Sequence, residues 1–235
     1  MTTSPKYITI SLGGSVINPG EIDTAFLQAF RDMILEELEK EKGKLKIIII
    51  CGGGRVARQY IQAKPPDLPP GQTDYLGIIP TWCNAQLISA WFHGHCPPLP
   101  HMEFREFLDD VMQYPITIGG GFLPGLKTDE DAAVTADYFA SPCLINVTNV
   151  DGIYDKDPSK HSNAKKISYL SYQEFYQHFN DVSIGPGSSA PFTFIATKIC
   201  ERSKCKIHVV GKDVEKIRSA IQGECQGSTI GPKTE

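Results

Sequence analysis

Three short runs of strand-forming, mostly β-branched residues each end in a cluster of glycines. Ile8 to Leu12 leads into Gly13 and Gly14, Ile47 to Cys51 into Gly52 to Gly54, and Ile116 to Ile118 into Gly119 to Gly121. A strand that stops in glycine leaves backbone N–H groups uncovered, and a helix starting just beyond adds its positive end, so each junction suits an anion such as phosphate. One such loop signals little, because glycine also merely shortens turns. Three in an alternating pattern constrain the chain far more. They imply a sheet with several phosphates gathered at one edge, as needed to hold a triphosphate donor and a phosphorylated acceptor together.

The rest of the chain fits that plan. Apolar residues at helical spacing (Ile22, Phe26, Phe30, Met33, Leu38) predict a helix over Ile22 to Leu38, with Gly43 as its stop. A second helix is expected from Arg55 to Ala63, ended by the proline-rich stretch Lys64 to Gly71. Asp74 to Phe92 reads as helix that Pro80 should kink or restart. Thr128 and Asp129 are placed to cap a helix from Glu130 to Phe139, followed by an apolar strand from Cys143 to Val147. Gly185 to Pro191 reads as a loop, Phe192 to Ser203 as a helix, Ile207 to Val210 as a strand, and Asp213 to Ile221 as a capped helix. The expected fold is α/β, a three-layer sandwich whose central, mainly parallel sheet has helices on both faces and ligands beyond its strands' carboxyl ends. No linker divides the chain, so one domain over 1–235 is expected.

Composition removes several function classes. With 27 acidic and 23 basic side chains the formal charge is −4, which gives no global attraction for nucleic acid or an anionic membrane. No apolar stretch approaches the roughly 20 residues that cross a bilayer, and Met1 to Lys6 lacks the apolar core of a secretion signal. Seven cysteines without paired spacing fit a reducing compartment, so a cytoplasmic protein is expected. His93, His95, Cys96 and His101 match no zinc spacing, and no metal ligands are assigned. The P-loop pattern and a strict dinucleotide fingerprint are both absent.

The ordered set of motifs resembles the amino acid kinase superfamily and, within it, the uridylate (UMP) kinases of the archaeal type. Ser11 to Ile17 is similar to the first glycine loop of that family. GGGRVARQYI, from Gly52 to Ile61, is similar to its acceptor-phosphate loop and helix, and DYLGIIPTWCNAQL, from Asp74 to Leu87, to the segment whose leading aspartate meets the ribose. Gly119 to Ala133 resembles the acceptor loop ending in Thr and Asp, and TNVDGIYDKDP, from Thr148 to Pro158, is the most specific piece. Three positions depart from common family patterns: Ser11 where many members have lysine, Thr193 where many have aspartate, and Trp82 where a basic or small residue is usual.

The resemblance implies transfer of the γ-phosphoryl group of Mg·ATP to UMP, with an acceptor half over about 1–140 and an ATP half over about 141–235. It implies catalytic roles for Gly13, Gly14, Asp151 and Lys198, and a UMP site built from Gly53, Gly54, Arg58, Asp74, Thr128 and Asp129. Ser11, Gly13, Thr148, Asn149, Tyr154 and Asp157 are the implied ATP contacts. Read on their own, Asp74 is equally a helix cap and Asp151 equally a turn-former before Gly152. A side chain at Gly14 is expected to block the phosphoryl group while sparing the fold. Two alternatives stay open: a same-fold kinase for another small phosphate or carboxylate, and a non-catalytic nucleotide-binding subunit resembling molybdenum storage proteins. Family members of this type assemble as hexamers built from dimers.

Overall fold

The computed structural model describes residues 5–179 and 192–233. The first half contains β1 (Lys6–Leu12), α1 (Gly14–Ile17), α2 (Thr24–Glu41), β2 (Leu45–Cys51), α3 (Gly54–Gln62), α4 (Pro70–Trp91), α5 (Phe104–Gln113), β3 (Ile116–Gly119) and α6 (Thr128–Tyr138). The second contains β4 (Cys143–Val147), β5 (Ile153–Tyr154), β6 (Lys166–Ile167), β7 (Tyr169–Ser171), α7 (Tyr172–His178), α8 (Phe194–Ser203), β8 (Lys206–Val210), α9 (Val214–Gln222) and β9 (Ser228–Gly231).

Strand order in the main sheet is β3-β2-β1-β4-β8-β9-β7, parallel throughout except where β8 meets β9. The cause is legible in β2, whose Ile47 to Ile50 are all fully or almost fully buried and so need cover on both faces. Alternation divides the cover. Ile47 and Ile49, with Ile8, Ile10 and Leu12 of β1, belong to one core with Phe30 of α2, Ile88 of α4 and Ile217 of α9. Ile48 and Ile50 belong to a second core with Ala132 of α6, Phe175 of α7 and Ala196 of α8. β5 and β6 pair antiparallel in a separate hairpin.

Several boundaries differ from expectation. Asp23, not Ile22, opens α2 by accepting from the Phe26 N–H at 3.0 Å, and the left-handed Lys42 (φ 48°) closes it just before Gly43. The proline-rich stretch starts α4, with Pro70 at its first position where the missing N–H costs nothing, so Asp74 lies inside the helix and does not cap it. Nor does Pro80 restart α4: the buried face Ile78, Trp82, Ala85 and Ile88 continues at helical spacing on both sides of it. Thr128 and Asp129 are likewise the first two residues of α6, whose N-cap is Lys127. Thr193 caps α8 by accepting from the Ala196 N–H at 3.2 Å, so its departure from aspartate keeps the capping oxygen. Helix α5 went unread although Phe104, Phe107, Leu108 and Val111 carry helical spacing. The Gly185 to Pro191 loop lies outside the described residues.

Candidate active site

The sheet order sets β3, β2, β1 and β4 side by side, in register from Leu12↔Cys51 and Ile50↔Gly119 to Leu12↔Val147. All four run parallel, so their carboxyl ends bring the three glycine loops and Thr148 to Asp157 to one edge. The chain crosses over β1 between β3 and β4, which is the kind of switch point where open α/β sheets bind ligands.

The first two loops lie against each other. A Cβ on Gly14 would stand 2.3 Å from the Gly52 carbonyl oxygen and 2.4 Å from the Gly54 nitrogen, and one on Gly54 would stand 2.4 Å from the Gly14 carbonyl carbon. Gly54 also holds φ +61°. These two glycines therefore serve backbone-to-backbone contact first. Gly13 donates its N–H to the Val147 carbonyl at 2.9 Å and Gly52 to the Leu12 carbonyl at 2.9 Å, continuing the sheet ladder. The expectation that Gly13 lends its N–H to a phosphoryl group is corrected: among the described residues, the N–H groups of Gly14, Gly53 and Gly54 lack acceptors, and Gly13's does not. The Asn84 amide fixes the loop by donating to the Gly52 carbonyl at 2.7 Å.

Beside the second loop opens a cavity of about 470 Å³ lined by Gly53, Arg58, Asp74, Thr128 and Asp129 together with Ile61, Ile78, Thr81 and Lys127. Five of the six residues expected to hold the acceptor meet there, and the sixth, Gly54, is taken up against Gly14. Asp74 accepts from the Gly125 N–H at 2.8 Å and so ties α4 to the third glycine loop. Thr81 accepts from the Gly121 N–H at 2.7 Å while the Trp82 indole donates to the Gly121 carbonyl at 2.8 Å. Both polar groups of Gly121 are thus held by consecutive residues, which gives Trp82 a partner at a position where a basic or small residue is common.

Asp129 accepts from the buried Ser11 hydroxyl at 3.0 Å, and Asp131 from the Phe122 N–H at 3.3 Å. Burial pushes the Asp129 carboxyl up to about 6 and that of Asp131 up to about 7, with the neighbouring Glu130 adding to both. In the folded chain both hold protons at pH values where an unfolded aspartate, near 3.8, has lost them. The stability they contribute is therefore present below about pH 4 and lost as pH rises to about 7. Asp131→Asn is expected to flatten that fall in urea unfolding measured across the window; an unchanged slope contradicts the raised value.

On the β4 side, Asp151 accepts from the Tyr154 hydroxyl at 2.7 Å and from the Lys166 ammonium at 3.0 Å, contacts that hold its carboxyl below the usual range. A Cβ on Gly152 would meet Lys166 Cε at 2.6 Å, so the glycine makes room for this lysine. Asp157 accepts from the N–H and hydroxyl of Ser159 at 2.9 and 2.6 Å, forming a local turn. The Thr148 N–H is donated to the Val210 carbonyl at 2.9 Å and its hydroxyl to Asn149 Oδ1 at 3.2 Å. Lys198 donates to Glu201 at 3.0 Å and lies 3.9 Å over the Tyr176 ring, so its contacts are with α7 and α8 and not with the glycine loops. His101 bonds Glu106 at 2.8 Å and approaches Asp110 at 3.4 Å. Sequence reasoning missed Lys127, Thr81, Asn84 and Lys166. Thr81 and Asn84 stand three apart on α4, a readable signal, whereas Lys166 meets Asp151 only through a hairpin of two residues per strand.

The match to known proteins follows this geometry. A family model described as the amino acid kinase family matches residues 6–211. The chain is 35% identical to a uridylate kinase of Thermococcus sibiricus over 228 residues, covering 96% of this chain and 99% of that protein. It is 32% identical to a uridylate kinase of Archaeoglobus fulgidus over 226 residues, covering 95% and 99%. The crystal structure of uridylate kinase from Archaeoglobus fulgidus superposes with a TM-score of 0.81 at 30% identity, covering 96% of this chain and all of that one. The UMP kinase structure from Bacillus anthracis, at 18% identity, shares the fold with a TM-score of 0.74. The chain belongs to the amino acid kinase family. Within it, the similarity runs nearly end to end with proteins of the archaeal uridylate kinase type.

Proposed function

We propose that the chain is a uridylate kinase, an enzyme that transfers the γ-phosphoryl group of Mg·ATP to UMP and yields UDP and ADP. The observation that carries this reading is the cavity in which Gly53, Arg58, Asp74, Thr128 and Asp129 converge beside the glycine junction. Similarity to archaeal proteins named uridylate kinase over nearly their whole length supports it and favours a kinase over a storage subunit.

UMP already presents an anionic phosphate oxygen as nucleophile, so the enzyme needs alignment and positive charge and no strong general base. Arg58, on α3 and without a partner among the described residues, grips the acceptor phosphate with its planar fork while the Gly53 N–H adds a donor. Asp74, fixed by Gly125, faces the ribose hydroxyls. The Gly14 N–H meets the transferred group, and Thr148, Asn149, Tyr154 and Asp157 border the donor in the half over about 141–235. Lys198 joins the phosphates only by leaving Glu201 and Tyr176. Among the described residues no three His, Cys, Asp or Glu side chains converge as a metal cage. Mg²⁺ would be carried on the phosphate oxygens of ATP. There the ion would offset charge between donor and acceptor.

Asp151 keeps Lys166 and Tyr154 in place on the donor side. Asp151→Asn is expected to lower kcat/KM for ATP by about 10-fold or more while UMP affinity stays within about twofold. Equal losses for both substrates assign Asp151 to structure alone.

Among the described residues no helix is long and apolar enough to cross a membrane, and all seven cysteines are free thiols. Free thiols fit a reducing compartment and support the cytoplasmic reading. Exposed Tyr60, Tyr75 and Ile79 on α3 and α4 support association of copies, in line with a hexamer built from dimers. Calorimetric titration tests the acceptor: UMP should bind and uridine should not, whereas equal binding of the two removes the phosphate site from the account.

A further inference from the structure

The third glycine run answers to side chains. A Cβ on Gly119 would stand 2.9 Å from the Phe107 ring and 3.0 Å from that of Phe122, and one on Gly120 would stand 2.5 Å from the Thr81 hydroxyl oxygen and 3.2 Å from the Trp82 indole. These glycines let α4 and α5 press onto the chain as it leaves β3. The N–H groups just beyond are engaged as well: Thr81 accepts that of Gly121 at 2.7 Å, Asp131 that of Phe122 at 3.3 Å and Asp74 that of Gly125 at 2.8 Å. None of these three is left for an anion.

At Gly121 the hold is two-sided. The Thr81 hydroxyl donates its proton to the Ile78 carbonyl at 2.6 Å and so meets the Gly121 N–H as an acceptor, while the Trp82 indole, a donor only, gives its N–H to the Gly121 carbonyl at 2.8 Å. Both side chains are buried. The two peptide planes that meet at Gly121 are thereby fixed in one orientation, and Gly121, Thr81 and Ile78 all line the acceptor cavity. Phe122 packs edge-on against the indole with ring centroids 5.5 Å apart, and against Phe104 and Phe107 at 5.0 and 5.1 Å. A buried carbonyl that loses its donor turns to find another, so without the indole N–H this wall shifts.

We propose that Trp82 is a positioning residue for the acceptor: its indole N–H, by holding the Gly121 carbonyl, sets the wall of the cavity against which UMP is bound. This rests on the reading of the cavity as a UMP site. Wild-type turnover of UMP is measured first, so failure of that reading is seen before Trp82 is tested.

Trp82→Phe keeps an aromatic ring and removes the N–H, and Thr81→Val keeps the shape of threonine and removes its oxygen. Each should raise KM for UMP by roughly 5-fold to 30-fold and leave kcat and the KM for ATP within about threefold. A merely structural role would not divide the two substrates. A second measurement needs no change at Trp82. Trp82 and Trp91 are the chain's two tryptophans, so labelling with fluorotryptophan gives two fluorine resonances, and Trp91→Phe assigns the one from Trp82. Saturating UMP should move that resonance, and ATP alone should leave it in place. An unchanged KM for UMP in Trp82→Phe, an equal rise for UMP and ATP, or a Trp82 resonance indifferent to UMP each overturns the proposal.

Discussion

Arg58→Ala is expected to lower kcat/KM for UMP by roughly 30-fold to 1,000-fold while barely moving the affinity for ATP. In the chain alone Arg58 is exposed on the cavity wall and has no partner among the described residues, so its removal leaves no buried group stranded. The loss falls on the bound phosphate, where charge-assisted bonds to a dianion contribute about 2 to 4 kcal/mol. Uridine, without that phosphate, should bind both forms poorly and alike. Equal turnover of UMP by wild type and variant removes Arg58 from the acceptor site.

Gly14→Val is expected to destabilise the fold by about 3 kcal/mol or more, not merely to block the donor. The clash is with backbone: a Cβ would lie 2.3 to 2.6 Å from the Gly52 oxygen, the Gly54 nitrogen and the Gly53 carbonyl carbon, none of which can swing aside as a side chain would. Gly14→Ala carries the same Cβ and should show most of the same loss in denaturant unfolding. Were Gly14→Ala as stable as wild type yet inactive, the glycine would serve the phosphoryl group alone.

That contrast marks where the sequence was readable. The strand-to-glycine runs disclosed β1, β2 and β3 and the edge where they end, because burial on both faces demands continuous isoleucine and a loop near phosphate demands glycine. What they could not disclose was which neighbour each glycine accommodates; Gly14 and Gly54 meet only because β1 and β2 are adjacent and in register. Thr128 and Asp129 were found by motif but misplaced as caps, since Glu130 secures the helix start from one turn inside and moves the cap back to Lys127. Pro70 and Pro80 mislead for the opposite reason: proline opens α4 at one position and is carried through its middle at the other by the buried face around it. The pairing of Lys166 with Asp151 depends on the short β5–β6 hairpin, which leaves almost no periodicity to detect.

The central claim is that the glycine junction and the Arg58 cavity together pass a phosphoryl group from ATP to UMP. Incubating the full chain with Mg·ATP and UMP and following the phosphorus resonances by NMR tests it directly. The account predicts UDP and ADP appearing in equal amounts, at a rate that depends on UMP and vanishes when uridine replaces it. ATP hydrolysis indifferent to UMP, or binding of both nucleotides with no UDP formed, contradicts it.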